Sequence, residues 1–284
     1  MEENDGMQVL SLADVSMEEA AVVLADAFHL DGGSTPTEWR ALLEREVEAK
    51  RVNASASRAI RFQGLLAGIC LLNFGRAGQG RIGPTGVLSR MRRQGFGRRL
   101  VEESLRVFRA EQVSRVRLEV SQDNPSAQKL YESVGFQRTR ALANVRLNRQ
   151  QLDWPANRPP VREIPYSEAL QHCERLHDRA AAFQRTVPYL ASFEEGAVAY
   201  AIGPEPSVQG VLICRGRAVL DVAFASEDKT GLLALLLKAT QAVREVRMIH
   251  EPTEGKVWET LQSIGAVVES NAWEMVWRAE SSLR

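Results

Sequence analysis

The chain has 284 residues, enough for two domains of ordinary size, and 44% of them are hydrophobic, as in a soluble globular protein. Its 36 basic and 36 acidic residues cancel, so the overall charge gives no support for a nucleic-acid or an anionic-membrane partner. The N-terminus lacks a charged and then apolar leader, and no apolar run approaches the length of a membrane span. We therefore expect a cytoplasmic protein that binds neither nucleic acid nor membrane.

The first half of the chain predicts strands and helices in mixed order. Apolar periodicity indicates a strand at 9–12, helices at 17–28 and 37–48, and strands at 54–62, 65–74 and 81–88. Ser16 stands at the start of the first helix, and a Thr-Glu capping pattern begins the second. Turn residues separate the three strands.

Segment 87–100 carries the strongest chemical signal. An apolar strand end runs into arginines and paired glycines, and then into a predicted helix. Gly95 and Gly97 let the backbone approach a diphosphate, and the first N–H groups of a helix are unpaired and carry the positive end of its dipole. Charge-assisted donors surround them, namely Arg92, Arg93, Arg98 and Arg99. A Gly-x-Gly after a strand also serves merely to cap a helix, so a second signal is needed.

A second segment supplies that signal. Residues 116–120 alternate as a short strand, and a helix follows with Pro125 at its start and Gly135 at its end. Apolar residues share one face of this helix with Tyr131, so its phenol is expected to point inward.

Together the two segments resemble the acetyl-CoA-binding core of the GNAT acyltransferase superfamily. The phosphate loop of that family reads Arg/Gln-x-x-Gly-x-Gly/Ala, which Arg92, Gly95 and Gly97 match. Its later helix reads Asn-x-x-Ala-x-x-Leu-Tyr-x-x-x-Gly-Phe, matched by Asn124, Ala127, Leu130, Tyr131, Gly135 and Phe136. The resemblance covers roughly residues 8–147 and implies an α/β (α+β) fold, with a mixed, mostly antiparallel twisted sheet flanked by helices.

The resemblance also implies roles for residues, with acetyl-CoA as the co-substrate. The acetyl carbonyl and the pantetheine arm pair with a splayed strand end, where preformed backbone donors serve as an oxyanion site. The diphosphate lies on the loop amides. The residues carried over as cofactor-binding are Thr85, Gly86, Val87, Arg92, Arg93, Gln94, Gly95, Phe96, Gly97, Arg98 and Asn124. The hydroxyl of Tyr131 protonates the departing thiolate, unless its ring merely fills a seam between helix and sheet.

The general base is open. Many relatives carry a glutamate on the strand before the phosphate loop, but no Asp or Glu lies between Gln63 and Val101. Strand alternation puts Arg117 and Glu119 on one face, and Glu119 is the nearest substitute base. An ion pair with a neighbouring arginine is an equally good interpretation of Glu119. Water that relays the proton to a distant carboxylate is a third route.

The acceptor and the metal content are judged from scattered residues. In the family the first two helices wall the acceptor pocket, and the polar candidates here are Asp26, His29, Asp31 and Ser34, although a solvated loop is the plainer interpretation. No metal is expected, because the three cysteines show no zinc or redox spacing and His172 and His177 are five residues apart. No cysteine accompanies the motifs, which favours direct attack over a covalent relay.

The second half repeats the pattern of the first. A Pro-rich segment puts a boundary at 149–160, and a helix at 167–183, strands at 197–202, 208–215 and 217–224, and a helix at 231–243 follow. A shift of 130 residues aligns 262–265 with 132–135 but places Leu261 at the position of Tyr131. The loop at 226–230 holds two acids, which would repel a diphosphate. We predict a GNAT acetyltransferase domain at 1–150 and a degenerate tandem copy without cofactor at 161–284.

These features predict an acetyl-CoA-dependent N-acetyltransferase that acts on a primary amine by direct attack, as a monomer or homodimer. The alternative is a non-catalytic CoA-binding or interaction module of the same fold, and an acyltransferase for longer acyl groups is a remote third reading. Core packing is favoured over an acceptor groove for Trp258, Trp273 and Trp277. The acceptor, the general base, the oligomeric state and the role of the second copy do not follow from the motifs.

Overall fold

The computed structural model describes residues 6–28, 34–76, 78–150, 158–177, 181–227, 229–241 and 243–279. Its strands are β1 (Met7–Ser11), β2 (Arg58–Phe62), β3 (Leu65–Phe74), β4 (Gln79–Val87), β5 (Arg115–Ser121), β6 (Gln137–Asn148), β7 (Arg162–Ile164), β8 (Ala197–Ile202), β9 (Gly210–Arg215), β10 (Ala218–Phe224), β11 (Glu245–Pro252) and β12 (Val267–Arg278). Its helices are α1 (Met17–Ala27), α2 (Pro36–Glu48), α3 (Phe96–Ala110), α4 (Pro125–Ser133), α5 (Tyr166–Leu176), α6 (Val187–Leu190), α7 (Lys229–Ala239) and α8 (Lys256–Ser263).

Residue contacts divide the chain into two units. The first holds Met1–Val120, Asn124–Thr139 and Glu274–Arg284, and the second holds Ser121–Asp123 and Arg140–Trp273. The division therefore runs through β6 and β12, whereas the sequence places the domain boundary at 149–160. The functional content of the two expected domains stays a prediction.

The first unit is built on a mixed sheet in which β1 to β5 lie side by side in chain order. These neighbours pair antiparallel, except that β4 and β5 run parallel. In the chain, α3 connects these two parallel strands. The end of β12 lies next to β5. α1 and α2 cover one face over a core that includes Leu12, Leu24, Leu43 and Ile69. α3 covers the other face, where Leu100 packs against Gly68 of β3, and α4 lies beside α3.

The second unit repeats this plan. β11, β10, β9, β8 and β7 are neighbours in that order, and β6 pairs antiparallel with β11. Among these described strands, β10 and β11 are the parallel pair. In the chain, α7 connects them. α5 covers one face through Ala169 and Cys173, and α7 and α8 cover the other through Leu232, Leu235 and Leu261.

The predicted fold class is confirmed, since both units are mostly antiparallel sheets flanked by helices. The helix starts follow the predicted caps. Ser16 Oγ accepts from the backbone N–H of Glu19 at 3.1 Å, and Thr35 Oγ1 accepts from that of Glu38 at 3.3 Å. Both glutamate side chains bond back to the cap residue, which completes two capping boxes.

Some element bounds differ from the prediction. The strand predicted at 54–62 begins only at Arg58, because Asn53 accepts from the backbone of Ala56 and of Ser57 and so forms a turn. The helix predicted at 167–183 ends at Leu176, and residues 178–180 lie outside the described residues. Among the helices of the described ranges, none combines the length and the apolar character needed to cross a membrane.

Candidate active site

β4 and β5 pair along only part of their length. The paired residues are 79–81 of β4 and 115–117 of β5, and among the described residues the ladder goes no further. β4 continues to Val87 and β5 to Ser121, so the carboxyl ends of the two strands separate. Backbone groups that face such an opening lack a partner strand and are available to a ligand. The opening lies where the sequence places the splayed strand end, at 85–87.

The loop after β4 has the geometry of an anion site. Arg93 and Gly95 adopt left-handed backbone angles, with φ of 62° and 86°. Gly95 caps α3 without any side-chain hydrogen bond, so the first N–H groups from Phe96 onward have no partner within the helix. Arg93 is exposed and forms no ion pair with any residue that the structure describes. Gln94 is exposed and contacts the backbone oxygen of Arg90 at 3.5 Å.

Two other arginines of the loop are engaged within the protein. Arg92 donates from Nη2 to the backbone oxygen of Ala27 at 2.9 Å, which ties the loop to the end of α1. Arg98 forms an exposed ion pair with Glu102 at 2.8 Å. Phe96 is buried in the core. Arg93 is therefore the loop guanidinium best placed to receive a phosphate.

The two small residues at the opening have packing roles. A Cβ added at Gly86 would lie 2.8 Å from the Cβ of Ala27, so this glycine lets α1 pack closely on β4. The contact with α1 gives Gly86 a packing role, and its predicted contact with the co-substrate stays a prediction. A Cβ added at Gly97 would lie 3.3 Å from Leu130, so Gly97 sets the distance between α3 and α4.

Asn124 begins α4. Its Oδ1 accepts from the backbone N–H of Ala127 at 3.0 Å, and the residue is exposed at the surface. Pro125 follows in the first turn, as predicted. The side chain of Asn124 therefore fixes the helix that carries Tyr131.

Tyr131 points inward from α4 and is 8% exposed. A side-chain hydrogen bond links it to Thr85, so the structure brings these two predicted site residues together. Its ring packs edge-on against Phe136, with 5.9 Å between the ring centroids. Burial raises the pKa of the Tyr131 phenol well above its usual range. The hydroxyl is therefore protonated at neutral pH, as an ordinary phenol also is, and burial makes it a weaker acid.

Cys70 is a neighbour of this site that sequence reasoning missed. It pairs with Thr85 across β3 and β4, and its Sγ lies 3.3 Å from Thr85 Oγ1 and 3.2 Å from Ser104 Oγ. The motifs themselves contain no cysteine, but the fold brings Cys70 of β3 next to Thr85. Burial raises the pKa of the Cys70 thiol, which keeps it protonated and a poor nucleophile.

Glu119 forms the ion pair that the sequence left as an alternative. Its carboxylate is 3% exposed, and Arg81 contacts one oxygen, Oε2, through Nε at 2.8 Å and Nη2 at 2.7 Å. Glu119 lies two residues beyond Arg117, on the part of β5 that has left β4. A candidate base thus borders the opening, but as a carboxylate bound to an arginine.

The predicted acceptor residues are only partly described. His29 and Asp31 lie outside the described residues, and Ser34 is exposed. Asp26 accepts from the backbone N–H of Ser89, which braces α1 against the loop after β4. An open groove of about 680 Å³ runs along α1, with a lining that includes Glu18, Val22, Leu65 and Leu88.

The second unit holds a buried charged cluster that no sequence motif signals. Arg185 pairs with Glu251 and lies 4.0 Å from Asp221, and His177 Nε2 lies 2.9 Å from Asp221 Oδ2. Burial disfavours a charged imidazole, but the Asp221 carboxylate outweighs it and raises the pKa of His177. Burial would raise the pKa of Asp221, yet the nearby cations lower it. The residues of this charged cluster are far apart in sequence, so only folding brings them together.

A group of possible metal ligands also meets in the second unit. Side-chain ligand atoms of Glu168, His172 and Glu205 lie within 4.8 Å of one another. The guanidinium of Arg162 contacts Glu205 and lies 3.6 Å from Glu168. A positive charge at this position repels a metal cation.

Comparison with known proteins identifies the fold. Residues 24–136 match the model of the Acetyltransferase (GNAT) family. Comparison of the sequence with curated proteins finds no match.

Solved structures resemble the chain over nearly its whole length. A candidate acetyltransferase from Pyrococcus horikoshii is 18% identical with a TM-score of 0.70, covering 99% of this chain and 93% of its own. A GCN5-related N-acetyltransferase from Sphaerobacter thermophilus is 16% identical with a TM-score of 0.70, covering 96% of each chain. A tandem GNAT protein from the clavulanic acid biosynthesis pathway is 16% identical with a TM-score of 0.64, covering 97% and 99%. Identities this low show the fold alone, and that fold is a tandem GNAT arrangement.

Proposed function

Because residues 24–136 carry a domain of the GNAT acetyltransferase family, we propose that this chain is an acetyl-CoA-dependent N-acetyltransferase that acts on a primary amine. The observation that carries the proposal is the opening between β4 and β5, with the anion-binding loop at its end and Tyr131 beside it. A thioester that lay in this opening would have backbone donors, a phosphate site and a proton donor around it.

The residues present suit acetyl-CoA as a co-substrate. The amides from Arg93 to Arg98 would hold the diphosphate, since two left-handed residues and an uncapped helix start turn N–H groups toward one place. Thr85 and Val87 would supply backbone partners for the acyl end. Asn124 would contribute through the start of α4, which its side chain fixes.

We propose direct transfer. The amine nitrogen attacks the thioester carbonyl, backbone N–H groups of β4 stabilise the oxyanion, and the carbon–sulfur bond breaks as the carbon–nitrogen bond forms. Glu119 accepts the proton that the nitrogen loses, and Tyr131 gives its proton to the departing sulfur. Such acid–base assistance contributes about 10²–10⁴-fold. A covalent relay through Cys70 is disfavoured by the raised pKa of its buried thiol.

The alternative is a CoA-binding or interaction module without catalysis. The ion pair between Glu119 and Arg81 favours it, because a carboxylate held by a guanidinium is also an ordinary structural pair. Turnover with a panel of amines separates the two functions: release of CoA with any amine supports the enzyme, and acetyl-CoA binding without turnover supports the module.

We propose that the second unit binds no cofactor. Glu227 lies in the loop before α7 and pairs with Lys256 at 2.6 Å, and Asp228 lies outside the described residues. A carboxylate at this place would repel a diphosphate. The role left to this unit is structural, or it shapes the acceptor site.

The test is a calorimetric titration of acetyl-CoA into the full-length protein. The full chain is required because Glu274–Arg284 belong to the first unit, so a chain cut near residue 150 loses part of that unit. We expect one equivalent to bind. Arg93→Ala should weaken binding by about 1–3 kcal/mol through loss of a charge-assisted contact, while Arg40→Ala, which removes an exposed pair on α2, should not. No binding to the intact chain would overturn the proposal.

A further inference from the structure

A buried polar chain leads from α2 to the opening between β4 and β5. Asn73 on β3 donates to the backbone oxygen of Arg51, just past the end of α2, and accepts from Arg81 Nη1 at 3.3 Å. Arg51 also pairs with Glu46 of α2 at 2.7 Å. At the other end of the chain, Arg81 binds Glu119. Side-chain contacts and one contact to the Arg51 backbone therefore join α2, which covers one face of the sheet, to the carboxylate at the opening.

Arg81 occupies the point where the strands separate. Arg81 lies opposite Arg117, where the pairing of β4 with β5 ends among the described residues. Glu119 is the next residue of β5 on the same face as Arg117. Two nitrogens of the Arg81 guanidinium, Nε and Nη2, contact the same oxygen of Glu119, Oε2. These two charge-assisted contacts hold that carboxylate oxygen in place beside β4.

The space around this contact is kept open by Gly83. A Cβ added there would lie 3.1 Å from Asn73 Oδ1 and 3.2 Å from Arg81 Nη1, so a side chain at this position would press on the bond between them. Arg81 and Glu119 both lie close enough to Tyr131 to influence its phenol. Burial is the largest cause that raises the pKa of Tyr131, and among the smaller contributions Arg81 lowers it and Glu119 raises it.

We propose that Arg81 is a positioning residue for acetyl transfer, holding the Glu119 carboxylate at the opening, and that Asn73 holds Arg81. The inference rests on the proposed function. As the carbon–nitrogen bond forms and the carbon–sulfur bond breaks, the proton of the acceptor nitrogen passes to Glu119 and the thiolate takes the proton of Tyr131. Arg81 makes no covalent change; it keeps the proton acceptor aimed at the reacting nitrogen.

The experiment compares Arg81→Gln, Glu119→Gln and the double variant in the full-length protein, with acetyl transfer to an amine that the wild type accepts. We expect each single variant to lower kcat at least tenfold while the calorimetric affinity for acetyl-CoA stays within twofold. The double variant should be no worse than either single one, because the residues act as one unit. Arg81→Lys should recover part of kcat, since an ammonium keeps the charge but not the planar fork.

The pH–rate profile supplies a readout that a purely structural pair would not change. Arg81→Gln should move the rising limb to higher pH, because a carboxylate without its guanidinium holds a proton more tightly. Titratable groups of the described residues near this pair include Tyr131 and Cys70. Arg117 and Glu274, which lie 4.0 Å apart, are charged neighbours, and all four residues are unchanged in every variant.

The control is the buried pair of the second unit. Arg185→Gln with Glu251→Gln should alter thermal stability without changing kcat. If the Arg81/Glu119 double variant has both the stability and the kcat of the wild type, the positioning role of Arg81 and the assignment of Glu119 as proton acceptor are overturned, while acetyl transfer itself stands. If the wild type acetylates none of the amines, both proposals fall together.

Discussion

Tyr131 is the residue on which the proposed chemistry depends most directly. Its hydroxyl bonds to Thr85 and its ring packs on Phe136, so Tyr131→Phe removes one oxygen and leaves the packing in place. We expect kcat to fall by about 10²-fold or more, the range of a lost general acid, with acetyl-CoA affinity nearly unchanged. Steady-state transfer and calorimetric titration measure the two quantities.

The matched control for this prediction is Tyr200→Phe, a half-buried tyrosine of the second unit. Its kcat should equal that of the wild type. Equal rates for Tyr131→Phe and the wild type would leave Tyr131 as a packing residue and assign protonation of the thiolate to solvent.

The environment of a candidate-site residue could be predicted where its neighbours are close in sequence, and could not where they are distant. Helix periodicity is enough to predict that Tyr131 points inward, because its neighbours lie one turn away. Strand register depends on how two strands pair, and the pattern of one strand alone does not determine it. For this reason the sequence did not predict that Cys70 lies beside Thr85 or that Arg81 pairs with Glu119. The nature of the pair at Glu119 was foreseeable, but its partner was not.

At the scale of elements, the contact of α1 with β4 is set by Gly86. A methyl group there meets the Cβ of Ala27 at 2.8 Å, closer than real Cβ contacts come. Gly86→Ala should therefore destabilise the first unit by about 1–3 kcal/mol through overpacking. Chemical denaturation monitors the loss.

The double variant Gly86→Ala/Ala27→Gly discriminates between packing and substrate contact at this position. If packing is the reason for the glycine, the second change should relieve part of the clash, even though glycine in a helix costs about 1 kcal/mol. A Gly86→Ala protein with wild-type stability and weakened acetyl-CoA binding would instead support the assignment of Gly86 to the substrate.

The contact between the end of α5 and β10 makes the second unit sensitive to pH. His177 has a pKa raised by Asp221, so its stabilising contribution is complete below its unfolded value of about 6.5 and is lost as pH rises through the folded value. Glu251 has a pKa raised by burial and acts in the same direction. Asp221 has a lowered pKa, so its contribution is present above about pH 4 and is lost on acidification. Arg185, Cys173 and Tyr166 are further titratable groups among the described residues that interact with Asp221.

We therefore expect the unfolding free energy of the second unit to decrease between pH 6 and pH 8. The change amounts to about 1.4 kcal/mol for each unit by which folding shifts a pKa. Urea denaturation at both pH values measures it, and His177→Gln should flatten the dependence. A wild type whose stability is the same at pH 6 and pH 8 contradicts the prediction.

Elements were predicted best where the chain carries its own signals. The capping boxes at Ser16 and Thr35 fixed the starts of α1 and α2, because a cap is a contact within one turn. The helix predicted at 167–183 was too long, since apolar spacing continues beyond Leu176 while the next residue, His177, is extended and turns to Asp221. Such a tertiary contact overrides a local pattern.

For the whole molecule, the internal repeat was enough to predict two copies of one fold, but not how the chain divides between the units. The sequence predicts that the first copy ends before the linker. Residue contacts group Glu274–Arg284, at the far end of the chain, with the first unit. Which sheet receives a strand depends on pairing across more than 100 residues, and no local pattern carries that information.

Trp277 shows what this division means for the first unit. It is 6% exposed, the ring lies 3.4 Å from a Cβ built at Gly135, and Arg109 stacks over it at 4.8 Å. Trp277→Ala should cost about 3–5 kcal/mol as a large buried aromatic is lost. Because Gly135 ends the helix that carries Tyr131, the loss should appear as faster hydrogen exchange in residues 115–136 and as weaker acetyl-CoA binding.

Trp258→Ala is the matched control for this prediction, since Trp258 packs partly buried in the core of the second unit. It should speed exchange in α8 and leave residues 115–136 protected. Unchanged protection of 115–136 in Trp277→Ala would mean that the last strand does not support the candidate active site. Faster exchange in 115–136 would instead show that Trp277 supports motifs about 140 positions earlier in the chain. Such a dependence arises because a fold is set by which residues pair, rather than by their order along the chain.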